Sequence, residues 1–160
     1  MEIWINKNKV QEEKNKKYKN AYEFSIKRNE YSTMYTHIDY VWRQFGMKKI
    51  NAIYEDLFII GMSVFSIDKR ISRTLSIDNW TRTFNVSIPV LELNKWKQVR
   101  EKLNETLRFL TGDIWNIEFR KTEEIYMDCN RQVNKINRLD KNNFNTVSLF
   151  SGGLDSFCGA

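Results

Sequence analysis

Histidine and proline each occur once in the 160 residues, cysteine twice and glycine six times. Each shortage narrows the chemistry. A lone histidine, here His37, is ordinarily a surface or hydrogen-bonded residue rather than a catalyst. Cys129 and Cys158 stand far apart, without the pair spacing of a zinc site or a disulfide framework, which fits a reducing cytoplasm. No Gly-Lys-Ser/Thr occurs, so there is no Walker A loop, and transfer of a γ-phosphate is disfavoured against chemistry at the α-phosphate. No uninterrupted apolar run is long enough for a bilayer and no signal-peptide pattern is present, so neither membrane insertion nor export is expected.

Positive charge is plentiful. Twenty-six Lys and Arg face 20 Asp and Glu, for a formal net charge of +6. The excess gathers early, where Lys7, Lys9, Lys14, Lys16, Lys17 and Lys19 outnumber Glu12 and Glu13. With few apolar residues, this run reads as a solvated, mobile loop between strands. A nucleic-acid patch, with Tyr18 and Tyr22 stacking on bases, is the sharper alternative.

Periodicity sets the expected elements. Residues 1–6 and 22–26 read as short strands that pair with each other, and residues 31–47 are ambiguous. Residues 51 to about 72 form the strongest helix, with Ile53, Tyr54, Leu57, Phe58, Gly61, Val64 and Phe65 on one broad face, widened by Ile59, Ile60 and Met62, so that burial on more than one side is expected. Gly61 suggests a close crossing. Residues 82–91 alternate as a half-buried strand, with Pro89 at an edge or at the strand's exit. Asn94 is expected to cap a helix running to about Thr111, with Trp96, Val99, Leu103, Leu107 and Leu110 facing the sheet and Gly112 as its C′ residue. Residues 113–121 alternate again, and a short helix around residues 125–133 is an option. Strand, helix, strand in this order reads as an α+β layer.

The most specific stretch is at the end. The apolar run of residues 146–150 reads as a buried strand, and Ser151, Gly152, Gly153, Leu154, Asp155 and Ser156 follow it directly. Strand, glycine turn and helix start together present backbone N–H groups and a positive helix end to a phosphate. The two glycines let an anion approach the main chain, and the serine hydroxyls can donate to phosphate oxygens. Asp155 can cap the helix or help hold Mg²⁺. Five fixed positions at about 7% usage each give on the order of 10⁻⁴ chance matches over a chain of this length. The plain alternative is a Gly-Gly hairpin turn with a Ser/Asp cap.

This stretch resembles the pyrophosphate loop (PP-loop), Ser-Gly-Gly-X-Asp-Ser, of the N-type ATP pyrophosphatases, and its form looks most like the 7-cyano-7-deazaguanine synthases, the QueC-like proteins. Residues 109–115 (Phe-Leu-Thr-Gly-Asp-X-Trp), Asp68-Lys69-Arg70, Asp78-Asn79-Trp80 and Ile88-Pro89-Val90 look like the N-terminal region of QueC-like proteins of bacterial anti-phage defence, the QatC-like branch. About 145 residues ahead of the loop argue for that branch, since housekeeping synthases begin almost at their loop. Only Phe157, Cys158, Gly159 and Ala160 follow the motif, so the expectation is the N-terminal part of a longer enzyme.

The resemblance implies an α/β protein. Its N-terminal α+β domain, residues 1–142, precedes the first strand and PP-loop, residues 143–160, of a doubly wound parallel-sheet domain like the adenine nucleotide α-hydrolases. It implies ATP and Mg²⁺ as cofactors, with Ser151, Gly152, Gly153, Leu154, Asp155 and Ser156 as the ATP/pyrophosphate site. It implies a carboxylate substrate, either a 7-deazaguanine-type base or a protein terminus. Zinc-binding cysteines would lie beyond Ala160. Catalytic residues are not identifiable. Two further classes stay open: a docking module for partner proteins of a defence system, and a tRNA- or DNA-binding enzyme that modifies nucleic acid.

Overall fold

A computed structural model describes residues 1–7, 14–26, 33–36, 38 and 50–126. Apart from Ile38, these residues belong to one compact unit. His37, Cys129, Cys158, residues 39–49 and residues 127–160 lie outside the described residues. The optional helix around residues 125–133, past residue 126, and the whole Ser-Gly-Gly-Leu-Asp-Ser stretch therefore lie outside the described residues.

Four strands form one sheet: β1 (Glu2–Asn6), β2 (Tyr22–Ser25), β3 (Thr83–Val90) and β4 (Ile114–Lys121). Their spatial order is β2-β1-β3-β4, and every pairing is parallel. Two long helices make the crossovers, α1 (Ala52–Arg70) between β2 and β3, and α2 (Leu93–Thr111) between β3 and β4. The fold is therefore α/β and compatible with a Rossmann-like arrangement; the expected α+β layer is corrected. Alternating polar residues in residues 82–91 and 113–121 suggested half-buried strands without fixing their direction. They belong to a parallel sheet with one apolar and one polar face.

Register assigns the faces. Ile3 pairs with Val86 and Val86 with Ile117, while Trp4 pairs with Ser87 and Ser87 with Glu118. Ile3, Ile5, Phe84, Val86, Ile88, Val90, Trp115 and Ile117 make the apolar face, which packs with Ile59, Ile60 and Ile67 of α1 and with Trp96 and Leu107 of α2. Fully burying such a side chain contributes about 1.5–3 kcal/mol.

Both helices turn differently from expectation. The sheet-facing residues of α1 are Glu55, Asp56, Ile59, Ile60, Ser63, Ser66 and Ile67, while Tyr54, Leu57 and Phe65 face water. The apolar spacing pointed to the outer stripe, whereas Glu55 and Asp56 have partners inside. In α2, Trp96 and Leu107 are buried and Leu103 is partly so, but Val99 and Leu110 are exposed. Asn94 is not the cap: α2 begins at Leu93, and Glu92 in the cap position makes no side-chain cap bond. Gly112 takes the left-handed conformation at φ 73°, as a C′ glycine should. The β1 register on β3 ends at Ser87, so Pro89 lies past it, at the strand's exit. Among the described residues no helix is long and apolar enough to cross a membrane.

Candidate functional site

The chain order places a reversal between β1 and β3. From β1 it steps outward to β2, then returns past β1 to β3 and continues to β4. In open parallel sheets the carboxyl ends of the strands at such a reversal are where ligands bind. Here that edge carries Lys7, directly after β1, and Glu55, in the first turn of α1. The Lys7 ammonium contacts Glu55 Oε1, and both side chains are essentially sealed from water. Glu55 Oε1 also accepts the Tyr126 amide at 2.8 Å. Lys7 Nζ makes no directed hydrogen bond and Glu55 Oε2 has no partner. The pair is thus an ionic contact that ties the end of β1 to α1 and to the chain after β4. Sealed as it is, it has no access to a substrate.

Asp56 lies beside it and is fully hydrogen-bonded. Its Oδ1 accepts the Leu91 amide at 2.7 Å, and its Oδ2 accepts the Glu92 amide at 2.8 Å and the Trp96 indole N–H at 3.0 Å. A carboxylate of α1 therefore supplies the anionic cap that α2 lacks in its own sequence.

A second polar cluster closes the opposite end of the sheet. Arg82, just before β3, donates to Asp113, just before β4, from Nε at 3.2 Å and from Nη2 at 2.5 Å. Its Nη2 also reaches Asp68 Oδ1 at 2.5 Å, and its Nη1 reaches the Ile71 carbonyl at 2.6 Å. Arg73 adds Asp113 Oδ1 at 3.0 Å, the Trp80 carbonyl at 2.6 Å and the Thr111 carbonyl at 3.0 Å. Burial pushes the Asp113 carboxyl up, but the hydrogen bonds and charge of Arg82, with the charge of Arg73, hold it below its ordinary value. Asp113 in turn raises the Arg82 guanidinium. Nearby, exposed Asp78 accepts the amides of Trp80 and Thr81 and is lowered by them to about 2. Asn79 sits at φ 54° in that turn.

Several residues carrying the wider resemblance therefore meet in space. Asp68, Asp78, Asn79, Trp80, Gly112 and Asp113 all shape the ends of the helices and the turns into β3 and β4. Their work here is structural. Trp115 joins them through its indole N–H, which donates to Thr111 Oγ1 at 2.9 Å.

The lysine run is also corrected where it is described. Lys7 is buried against Glu55, Lys14 pairs with Glu23, and Lys17 Nζ lies 2.5 Å from Glu118 Oε1. Residues Lys16–Tyr18 form a 3₁₀ turn, capped by Asn15. It buries Tyr18 against Trp4, with ring centroids 5.5 Å apart, and aims its hydroxyl at Glu118 Oε2, 3.0 Å away. The Arg120 guanidinium lies 3.8 Å from the Trp4 ring centroid. These contacts cover part of the polar face of the sheet and leave Lys16, Lys17 and Lys19 of the described run exposed. Tyr18 is therefore not available to stack on bases, while Tyr22 is exposed. The sequence did carry signals for what was missed: Glu55-Asp56 inside an apolar helix, and a charged residue directly before each of two strands.

Ser151, Gly152, Gly153, Leu154, Asp155 and Ser156 lie outside the described residues. Among the described residues no three His, Cys, Asp or Glu side chains are grouped to hold a metal. The chain matches no family model, no curated protein and no solved structure.

Proposed function

We propose that Ser151, Gly152, Gly153, Leu154, Asp155 and Ser156 form the pyrophosphate cradle of a PP-loop enzyme of the QueC-like type, with residues 1–126 as an α/β domain ahead of it. The observation that carries the reading is Ser-Gly-Gly-Leu-Asp-Ser directly behind the apolar run of residues 146–150. Lys7, Glu55 and Asp56 already fill the reversal between β1 and β3 with contacts to each other and to the chain, so the reading rests on the loop sequence and asks nothing of that edge.

In this reading a substrate carboxylate oxygen attacks the α-phosphorus of ATP. The bond to the bridging oxygen breaks, and pyrophosphate leaves with the electron pair. Loop amides and the hydroxyls of Ser151 and Ser156 stabilise the charge that builds on the leaving group. Mg²⁺, with Asp155 as one candidate ligand, would neutralise the phosphates. Ammonia or an amine then attacks the acyl carbon and displaces AMP. The acceptor is a 7-deazaguanine-type base or a protein terminus, and the setting is anti-phage defence in the cytoplasm.

The test is nucleotide analysis of the full-length gene product that carries this chain, given ATP, Mg²⁺ and acceptor. AMP and pyrophosphate are expected, and Gly153→Val should abolish them by placing a branched side chain where main chain meets phosphate. Production of ADP, or full activity in Gly153→Val, overturns the reading.

A further inference from the structure

The outer face of α1 is built against the usual sense of a surface helix. Tyr54, Leu57 and Phe65 stand 63%, 56% and 60% exposed. The only charged residues from 54 to 65, Glu55 and Asp56, are both buried on the inner face. An apolar stripe three helical turns long thus faces water with no charge interrupting it.

Gly61 lies at the centre of the stripe, four residues after Leu57 and four before Phe65. A Cβ built on Gly61 meets nothing within 4 Å. Packing inside the described unit therefore does not require glycine there, and glycine costs a helix interior about 1 kcal/mol relative to alanine. What a bare position on an exposed apolar ridge does provide is room for the backbone of another helix.

We propose that α1 is a self-association surface, on which two copies of the chain cross antiparallel about a two-fold axis at Gly61. Leu57, Gly61 and Phe65 form one row at spacing four, the ridge that interdigitates in the commonest helix crossing. The row is self-complementary about its middle. The axis sets Gly61 against the partner's Gly61 and Leu57 against the partner's Phe65, as an isologous interface demands. A heterologous partner would have no need of that symmetry.

The size fits as well. With about 150–250 Å² for a large side chain, Tyr54, Leu57 and Phe65 leave on the order of 350 Å² per copy in water. The partly buried Ile53, Phe58, Met62 and Val64 extend the patch. Two copies reach on the order of 1,000 Å², where specific association begins. Each copy carries a formal charge of +6, and Lys69 and Arg70 end the helix at the rim. Like charge opposes the pairing, so added salt should strengthen it. This inference goes beyond the PP-loop reading and does not depend on it.

The experiment is sedimentation equilibrium of the 160-residue chain at on the order of 10–100 μM, paired with cysteine cross-linking. Dimer mass is expected, rising with salt. Phe65→Glu should weaken association at least about tenfold while its thermal unfolding stays close to that of the parent, because the site is exposed. Gly61→Leu separates folding from association: it should raise thermal stability yet return the chain to monomer. In a background with Cys129→Ser and Cys158→Ser, Gly61→Cys should cross-link with itself under mild oxidation. Leu57→Cys should do so only together with Phe65→Cys. A monomer at every concentration and salt overturns the proposal, as does a dimer indifferent to Phe65→Glu with no Gly61→Cys cross-link. Either failure leaves the AMP assay untouched.

Discussion

Asp56 and Trp96 join two helices through one hydrogen bond, indole N–H to carboxylate oxygen at 3.0 Å, deep at the carboxyl edge of the sheet. The same carboxylate takes the amides of Leu91 and Glu92 at the start of α2. Helix capping is usually local in sequence; here the cap comes from more than thirty residues away. The start of α2 is therefore fixed by tertiary structure, and its position depends on α1 being docked.

Asp56→Ala should accordingly do more than remove a surface cap. It strands two backbone donors and one indole donor, and the expected loss is about 2–4 kcal/mol. Asp56→Asn retains acceptor capacity and should lose less. Urea unfolding read at the midpoint, with an unchanged slope, is the measurement. A midpoint within error of the parent would contradict the long-range cap.

Arg82 and Asp113 make the corresponding tie at the other end. Arg82→Met removes the main partner of a fully buried carboxylate, leaving it the Arg73 charge alone, and should cost about 3–5 kcal/mol. Asp113→Leu should be costly for the mirrored reason. The double variant should lose clearly less than the sum of the singles, because neither charge is then left alone. Strict additivity in a double-mutant cycle would show that the two side chains do not act as a pair.

Several elements were legible in the sequence because their signals are local. The strands, both helices and the left-handed Gly112 follow from alternation, helical spacing and C-cap chemistry. Strand direction was not legible: a polar residue at every second position looks the same in either orientation, and only the register shows that Asn85 pairs in parallel with Asn116. The inward face of α1 was hidden for a related reason. Glu55 and Asp56 are tolerated inside only because Lys7, Leu91, Glu92 and Trp96, all distant in sequence, meet them there. The Ser-Gly-Gly-Leu-Asp-Ser stretch lies outside the described residues, so its reading as a phosphate loop rests on residue types alone.

The stripe on α2 offers a direct comparison of spacing with burial. Leu107 is 8% exposed and Leu110 is 69% exposed, although both belong to the same helical repeat. Leu107→Ala should cost about 2–5 kcal/mol as a core truncation. Leu110→Ala should stay within about 0.5 kcal/mol. Equal losses measured by thermal unfolding would mean that α2 is rotated from the orientation described.

Tyr18 gives the fold a distinctive pH dependence. Burial, and then its hydrogen bond to Glu118, raise the phenol well above its ordinary value. The unfolded chain loses this proton near pH 10, whereas the folded chain keeps it. The contribution is thus complete below about pH 10 and declines by about 1.4 kcal/mol per pH unit above it, until the folded phenol also ionises. The acid side has the opposite sign. Glu118, lowered first by Lys17, and Asp113, held down by Arg82 against burial, contribute fully above about pH 4 and are lost as pH falls through their depressed folded values. Tyr18→Phe isolates the alkaline limb. The stability difference between parent and variant should be constant from pH 7 to about 9 and shrink above pH 10. Urea midpoints at matched pH values measure it. A difference that stays flat through pH 11 would place the Tyr18 hydroxyl in water and remove the 3₁₀ turn as the cover of the sheet's polar face.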